Sequence, residues 1–124
     1  MRTPLLLGSA FAFTGVALGA FGAHALRARL SPEMLAIYQT GVQYQMLHAL
    51  ALLLVAALAD RLQAVRLVRW SGGLLAAGVV LFSGSLYALA LSGVRGLGAI
   101  TPLGGACFLA GWACLAVAAA KEQR

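Results

Sequence analysis

The chain has 124 residues, of which nine are basic and three acidic, and a mean hydropathy of +0.93. A water-soluble domain of this size carries about a quarter charged residues, whereas here the share is 10%, so the composition points to a single domain, residues 1–124, built for a lipid bilayer. The formal net charge of +6 implies no nucleic-acid partner, because the basic residues mark the ends of apolar runs and form no patch interleaved with aromatics.

Four apolar stretches, Pro4–Leu26, Val42–Ala59, Trp70–Gly93 and Leu97–Ala120, contain no charged side chain. At 1.5 Å per residue, the three longer ones can each cross a hydrocarbon core of about 30 Å. The second does so once Tyr44, Gln45 and His48 are accepted inside the membrane. The expected helices cover residues 4–26, 32–60, 68–93 and 100–121. The opening MRTPLLLGSAFAFTGVALGAFGAHA also has the form of a secretory signal, with a basic start, an apolar core and Ala23-His24-Ala25; it is counted here as a retained helix. Its Gly8, Ala12, Gly15 and Gly19 fall at steps of four, three and four, a stripe that lets another backbone approach closely.

Leu30-Ser31-Pro32-Glu33 reads as a helix start, with Ser31 as N-cap, proline in the first turn and an acidic residue beside the dipole. From Pro32 the second helix can run about 28 residues, near 42 Å. Its first half mixes Met34, Leu35, Ile37, Tyr38 and Val42 with Glu33, Gln39, Thr40 and Gln43, which predicts an amphipathic interfacial extension. That extension is either continuous with the spanning half or bent near Gly41. Asp60-Arg61 closes the helix, and Trp70 anchors the start of the third. Gly84, Ala88 and Ser92 make a second small-residue stripe. A glycine-rich turn from Gly93 to Gly98 leads to Thr101-Pro102, a second cap-and-proline start, and the fourth helix ends in Lys121-Glu122-Gln123-Arg124. Cys107 and Cys114 are about 10.5 Å apart along one helix, too far for a disulfide, and read as packing residues.

Short loops make sequential helices antiparallel neighbours, so the expected fold is all-α, an antiparallel four-transmembrane-helix bundle. Gly15, Gly19, Gly84, Gly104 and Gly111 are the expected helix-packing positions. Arg2, Arg61, Arg66, Arg69, Lys121 and Arg124 fall on one side of the membrane and Arg27, Arg29 and Arg95 on the other, which predicts that both termini are cytoplasmic. Arg27 and Arg29 are expected to pair loosely with Glu33 at the outer edge.

GAFGAH, the Leu30-Ser31-Pro32-Glu33 start, YQTGVQYQMLHALALL, LFSGSLYAL and ITPLGG followed by GW together resemble the YgdD-like family over nearly the whole chain. These are small four-helix bacterial inner-membrane proteins, a domain of unknown function with a small transmembrane relative in animals. The resemblance implies a fold and a bacterial inner-membrane location. It supplies no reaction.

Ionisable and polar side chains inside a bilayer are costly unless they find a partner. His24 closes the first helix. Tyr44, Gln45 and His48 share a face of the second. Ser83, Ser85 and Tyr87 lie in the middle to outer half of the third, and Thr101 heads the fourth. These eight residues form the candidate cluster, with His48 expected inward and neutral and His24 within a helix spacing of it, 8–10 Å. The plainest reading is that they satisfy one another across helices. The alternatives are a cavity for a small ligand, lipid headgroup or quinone, and a metal or haem site on His24 and His48, a thin ligand set. Catalysis has least in its favour, because there is no buried carboxylate, nucleophile elbow or phosphate loop. The expectation is therefore a non-enzymatic packing or interaction protein, or an accessory subunit, with no metal or cofactor. Its expected partners are the bilayer and a second copy or larger membrane complex.

Overall fold

The computed structural model describes residues 2–122, and among them it is helical with no strand. The first helix spans Arg2–His24, the second Pro32–Leu58, the third Val65–Ser92 and the fourth Thr101–Ala120. Each is long and apolar enough to cross a membrane. Short 3₁₀ turns at Leu26–Ala28 and Arg95–Ala99 complete one end of the molecule, the far end; the loop after the second helix shares the termini end. Gln123 and Arg124, assigned from sequence to the termini end, lie outside the described residues.

Local chemistry sets the boundaries. Ser31 accepts the Met34 backbone N–H at 3.2 Å, the side-chain cap expected of it. Gly93 ends the third helix in the left-handed region at φ 76°, where a side chain would be strained, and its N–H returns to the Leu89 carbonyl at 2.8 Å. Thr101 departs from expectation. It is the first helical residue and not a side-chain cap; its hydroxyl crosses to the third helix instead. The second helix is continuous through Gly41. Its amphipathic first half does not stand alone, because Tyr38 is buried with Leu26 and Ala90, and Leu35, Ile37 and Val42 pack around them. The third helix is regular to Gly78, widens into one π-helical segment at Val79–Ser83, and resumes as α-helix to Ser92.

The first helix packs along the second, the second against the third, and the third along the fourth. The first makes only a brief contact with the third. The main core lies towards the termini end, built on Leu52, Val55, Val68, Leu75, Val79 and Phe108. The outward surface carries large apolar side chains such as Leu6, Phe13, Leu103 and Leu109, as a lipid-facing surface requires.

Small residues set the helix spacing. A Cβ at Gly15 would lie 2.5 Å from the Met46 sulfur, and one at Gly19 3.3 Å from Val42. At Gly111 it would meet Leu75 at 2.9 Å, and at Gly104 it would run into the backbone of Phe82. Gly84 is different. It is exposed, with no atom within 4 Å of a built Cβ, so the stripe Gly84, Ala88 and Ser92 points outward and takes no part in packing within this chain. The expectation that Gly84 faces a neighbouring helix is corrected on that ground.

Glu33 pairs with Arg95 at 3.3 Å across the far end, and not with Arg27 or Arg29. Both partners are well exposed, so the pair stabilises little.

Candidate functional site: a polar network joining four helices

Gln45 is the hub nearest the first helix. Its side-chain amide donates to the Phe11 carbonyl at 2.9 Å and to the Thr14 hydroxyl at 2.8 Å, and its oxygen accepts from the Tyr87 hydroxyl at 2.6 Å. One buried side chain thereby ties the first, second and third helices. Thr14 passes its own proton back to the Ala10 carbonyl. Tyr38, about two turns further towards the far end, donates to the Leu18 carbonyl at 2.5 Å and packs its ring against Gly22, where a Cβ would collide.

His48 joins the second helix to the fourth. Nδ1 lies 2.9 Å from the Tyr44 carbonyl, and Nε2 lies 3.1 Å from the indole nitrogen of Trp112. An indole N–H can only donate and a carbonyl can only accept, so these partners assign the neutral tautomer with its proton on Nδ1. The ring stacks on Phe108 with centroids 3.6 Å apart and planes 8° from parallel. Gly78 of the third helix leaves the space that Phe108 fills. His48 is 2% exposed.

Serine hydroxyls complete the network. Ser83, within the π-helical segment, donates to the Gly41 carbonyl at 2.7 Å. Ser85 bonds the Phe82 carbonyl at 2.9 Å and the Thr101 hydroxyl at 2.6 Å. Gly41 thus serves as an acceptor and as the flat surface for Tyr87, whose ring a Cβ there would meet at 2.8 Å.

Six of the eight candidate residues, Gln45, His48, Ser83, Ser85, Tyr87 and Thr101, carry side-chain hydrogen bonds in this network. Tyr44 and His24 do not fit as expected. Tyr44 contributes its backbone carbonyl and its ring, which packs on Phe82 with centroids 4.6 Å apart, while its side chain is 37% exposed. His24 is exposed at the end of the first helix and takes no part. The reason is register. In the antiparallel pairing of the first two helices, Gly22 faces Tyr38 and Gly15 faces Met46. His24 therefore lies level with the first turns of the second helix, whereas His48 lies four to five turns in, about 16 Å deeper. The loop between them is short, but the second helix begins well before its apolar half.

Trp112, Phe108 and Thr14 were not assigned to the site from sequence. Trp112 and Phe108 sit in an apolar run with no polar neighbour to single them out, and Thr14 is a lone hydroxyl. What the arrangement does chemically is cross-link helices, since each polar side chain in it is bonded to another element or to its own backbone. Ser71, on the third helix towards the termini end, is the exception: it is fully buried, with its hydroxyl unpartnered among the described residues. Among those residues no three His, Cys, Asp or Glu side chains come together as a metal-binding group.

Four membrane-length helices, lipid-facing apolar surfaces and an internal polar network define a polytopic helical membrane protein. Within that class, the family described as "Protein of unknown function (DUF423)" matches residues 18–105. The chain is 49% identical to the UPF0382 membrane protein YwdK of Bacillus subtilis, over 98% of each chain. It is 45% identical to the UPF0382 inner membrane protein YgdD of Escherichia coli K12, over 99% of this chain and 93% of that one. It is 43% identical to the UPF0382 membrane protein SH2409 of Staphylococcus haemolyticus, over 98% of each. The chain belongs to this family, as its motifs indicated, and the family's biochemical role is unknown. No solved structure matches the chain.

Proposed function

We propose that the protein is a non-enzymatic interaction protein of a bacterial inner membrane, with both termini in the cytoplasm, and that its third helix docks against a second copy of the chain. The observation that carries this reading is the division of the small residues. Gly15, Gly104 and Gly111 are consumed by packing inside the chain, whereas Gly84 faces outward on one stripe with Ala88 and Ser92. Helices associate in lipid through close backbone approach, and this stripe offers it. A shallow cleft of about 260 Å³ beside Gly84, between Leu18 of the first helix and Val80 of the third, gives room for a partner's side chain. Binding of a small ligand, lipid or quinone at the polar cluster has less support, because Gln45, His48 and Tyr87 are already bonded. The inner-membrane location has the name of the Escherichia coli relative behind it.

The test is native mass spectrometry of detergent-extracted protein, with Ala88→Cys crosslinking in membranes. The expected result is a dimer that crosslinks through position 88 and that Gly84→Leu converts to a folded monomer, since a Cβ at 84 has no atom of the chain within 4 Å. A wild-type protein that stays monomeric and does not crosslink at 88 overturns the reading.

A further inference from the structure

The third helix begins under adverse electrostatics. Its first turn has no acidic residue, and its N-cap, Ala64, offers no side-chain hydrogen bond. Unbonded N–H groups and the positive end of the helix dipole favour an anion there. The sequence supplies the opposite: Arg66 and Arg69, three apart on one face and both exposed. Among the described residues neither arginine has a carboxylate partner; Glu33 pairs with Arg95 at the far end, and Glu122 accepts the backbone N–H of Gln63.

Beside these arginines an open groove of about 830 Å³ runs along the exposed face of the third helix, lined by residues of that helix alone. Arg66, Arg69 and Trp70 form its rim, and Gly73, Leu74 and Ala77 carry it two turns further along the spanning helix. A smaller cavity of about 260 Å³ shares Arg69 and Gly73 and runs on between Gly72 and the first-helix residues Pro4 and Leu7. The space is thus cationic at one end and apolar along its length. Trp70 stands at the level where tryptophan meets headgroups.

We propose that this groove is a binding site for an acidic phospholipid, its phosphate on Arg66 and Arg69 and an acyl chain lying over Gly73 along Leu74 and Ala77. The Glu122 carboxylate already sits on the Gln63 N–H just before the helix, and the phosphate supplies the anion that both guanidiniums lack. The apolar length distinguishes a lipid from free phosphate, which has no use for the wall beyond Gly73.

The experiment is native mass spectrometry of the full chain in micelles doped with phosphatidylglycerol, phosphatidylcholine or inorganic phosphate. Wild type should retain phosphatidylglycerol about tenfold or more over phosphatidylcholine. The double variant Arg66→Gln/Arg69→Gln should lose that preference, and Arg27→Gln/Arg29→Gln at the far end should keep it. Gly73→Leu should reduce retention of both lipids with the arginines intact; nothing lies within 4 Å of a Cβ at Gly73, so a side chain can start there without a clash. Equal retention of the two lipids overturns the proposal, as does equal loss in the far-end variant. Displacement by inorganic phosphate with no effect of Gly73→Leu shows a headgroup site without a lipid and also overturns it. So does a Gly73→Leu variant whose lipid retention is unchanged while its subunit number falls, which would assign the groove to a protein partner.

Discussion

His48 is held on three sides: by the Tyr44 carbonyl, the Trp112 indole and the face of Phe108. Replacing it with alanine removes the acceptor for the Trp112 N–H and opens a hole against Phe108. Large-to-small changes in a packed interior cost about 2–5 kcal/mol, and an interhelical hydrogen bond in a membrane about 1 or less. His48→Ala should therefore lower stability by about 2–4 kcal/mol. His48→Phe keeps a ring on Phe108 and loses the Nε2 acceptor and the Nδ1 donor to the Tyr44 carbonyl, so it should cost less than the alanine variant. Reversible unfolding in mixed micelles measures both. An unchanged His48→Ala protein would remove the structural role and favour the ligand reading. Most of this site was legible in the sequence, because Gln45, Ser83, Ser85 and Tyr87 are among the few polar residues in otherwise apolar runs. Their partners were not. Which group a side chain meets depends on the register between helices, and register is set by contacts such as Gly15 on Met46 that no single segment encodes. The same dependence placed His24 with His48 in projection when the helices separate them in depth.

The π-helical segment at Val79–Ser83 is where one element was least legible. Helix lengths follow from hydropathy and caps, and all four observed spans lie within a few residues of those expected from the sequence. A π turn leaves no such signature, since VVLFS is as apolar as its neighbours. Its effect is local: the helix widens at Phe82, the very backbone that Gly104 of the fourth helix admits. A π turn is one extra residue carried inside an α-helix, so removing a residue there restores a regular turn while both flanking halves keep their facing. Val80, exposed to 61%, is the residue to remove. Deletion of Val80 should leave a folded protein that has lost only the Ser83–Gly41 bond. Deletion of Leu54, also outward but in regular helix, rotates the remainder of the second helix by about 100° and should prevent folding. Size-exclusion profiles and thermal unfolding of the two deletions separate these outcomes, and equal damage from both would show that the wide turn is not a stored insertion.

At the scale of the whole molecule, the two ends differ in charge more than a count of arginines indicates. Arg2, Arg61, Arg66, Arg69 and Lys121 lie at the termini end; Arg124, assigned there from sequence, lies outside the described residues. The far end carries Arg27, Arg29 and Arg95, and Arg95 is paired with Glu33. Because orientation follows lysine and arginine in short loops, the pairing matters less than the number, but both point the same way. The connection between the second and third helices is short, and Gln63 within it is tied to Glu122 at the end of the fourth. That contact places the loop and the carboxyl-terminal end together, so one fusion reports on both. A reporter at the carboxyl terminus should be active as a cytoplasmic fusion, and one inserted in residues 27–31 should be active only as a periplasmic fusion. Replacing Arg61, Arg66 and Arg69 with glutamine leaves, by sequence, Arg2, Lys121 and Arg124 against three arginines at the far end, and should produce a mixed population of orientations. A periplasmic carboxyl terminus in the unmodified chain would invert the orientation; the lipid site beside Arg69 would then sit in the outer leaflet.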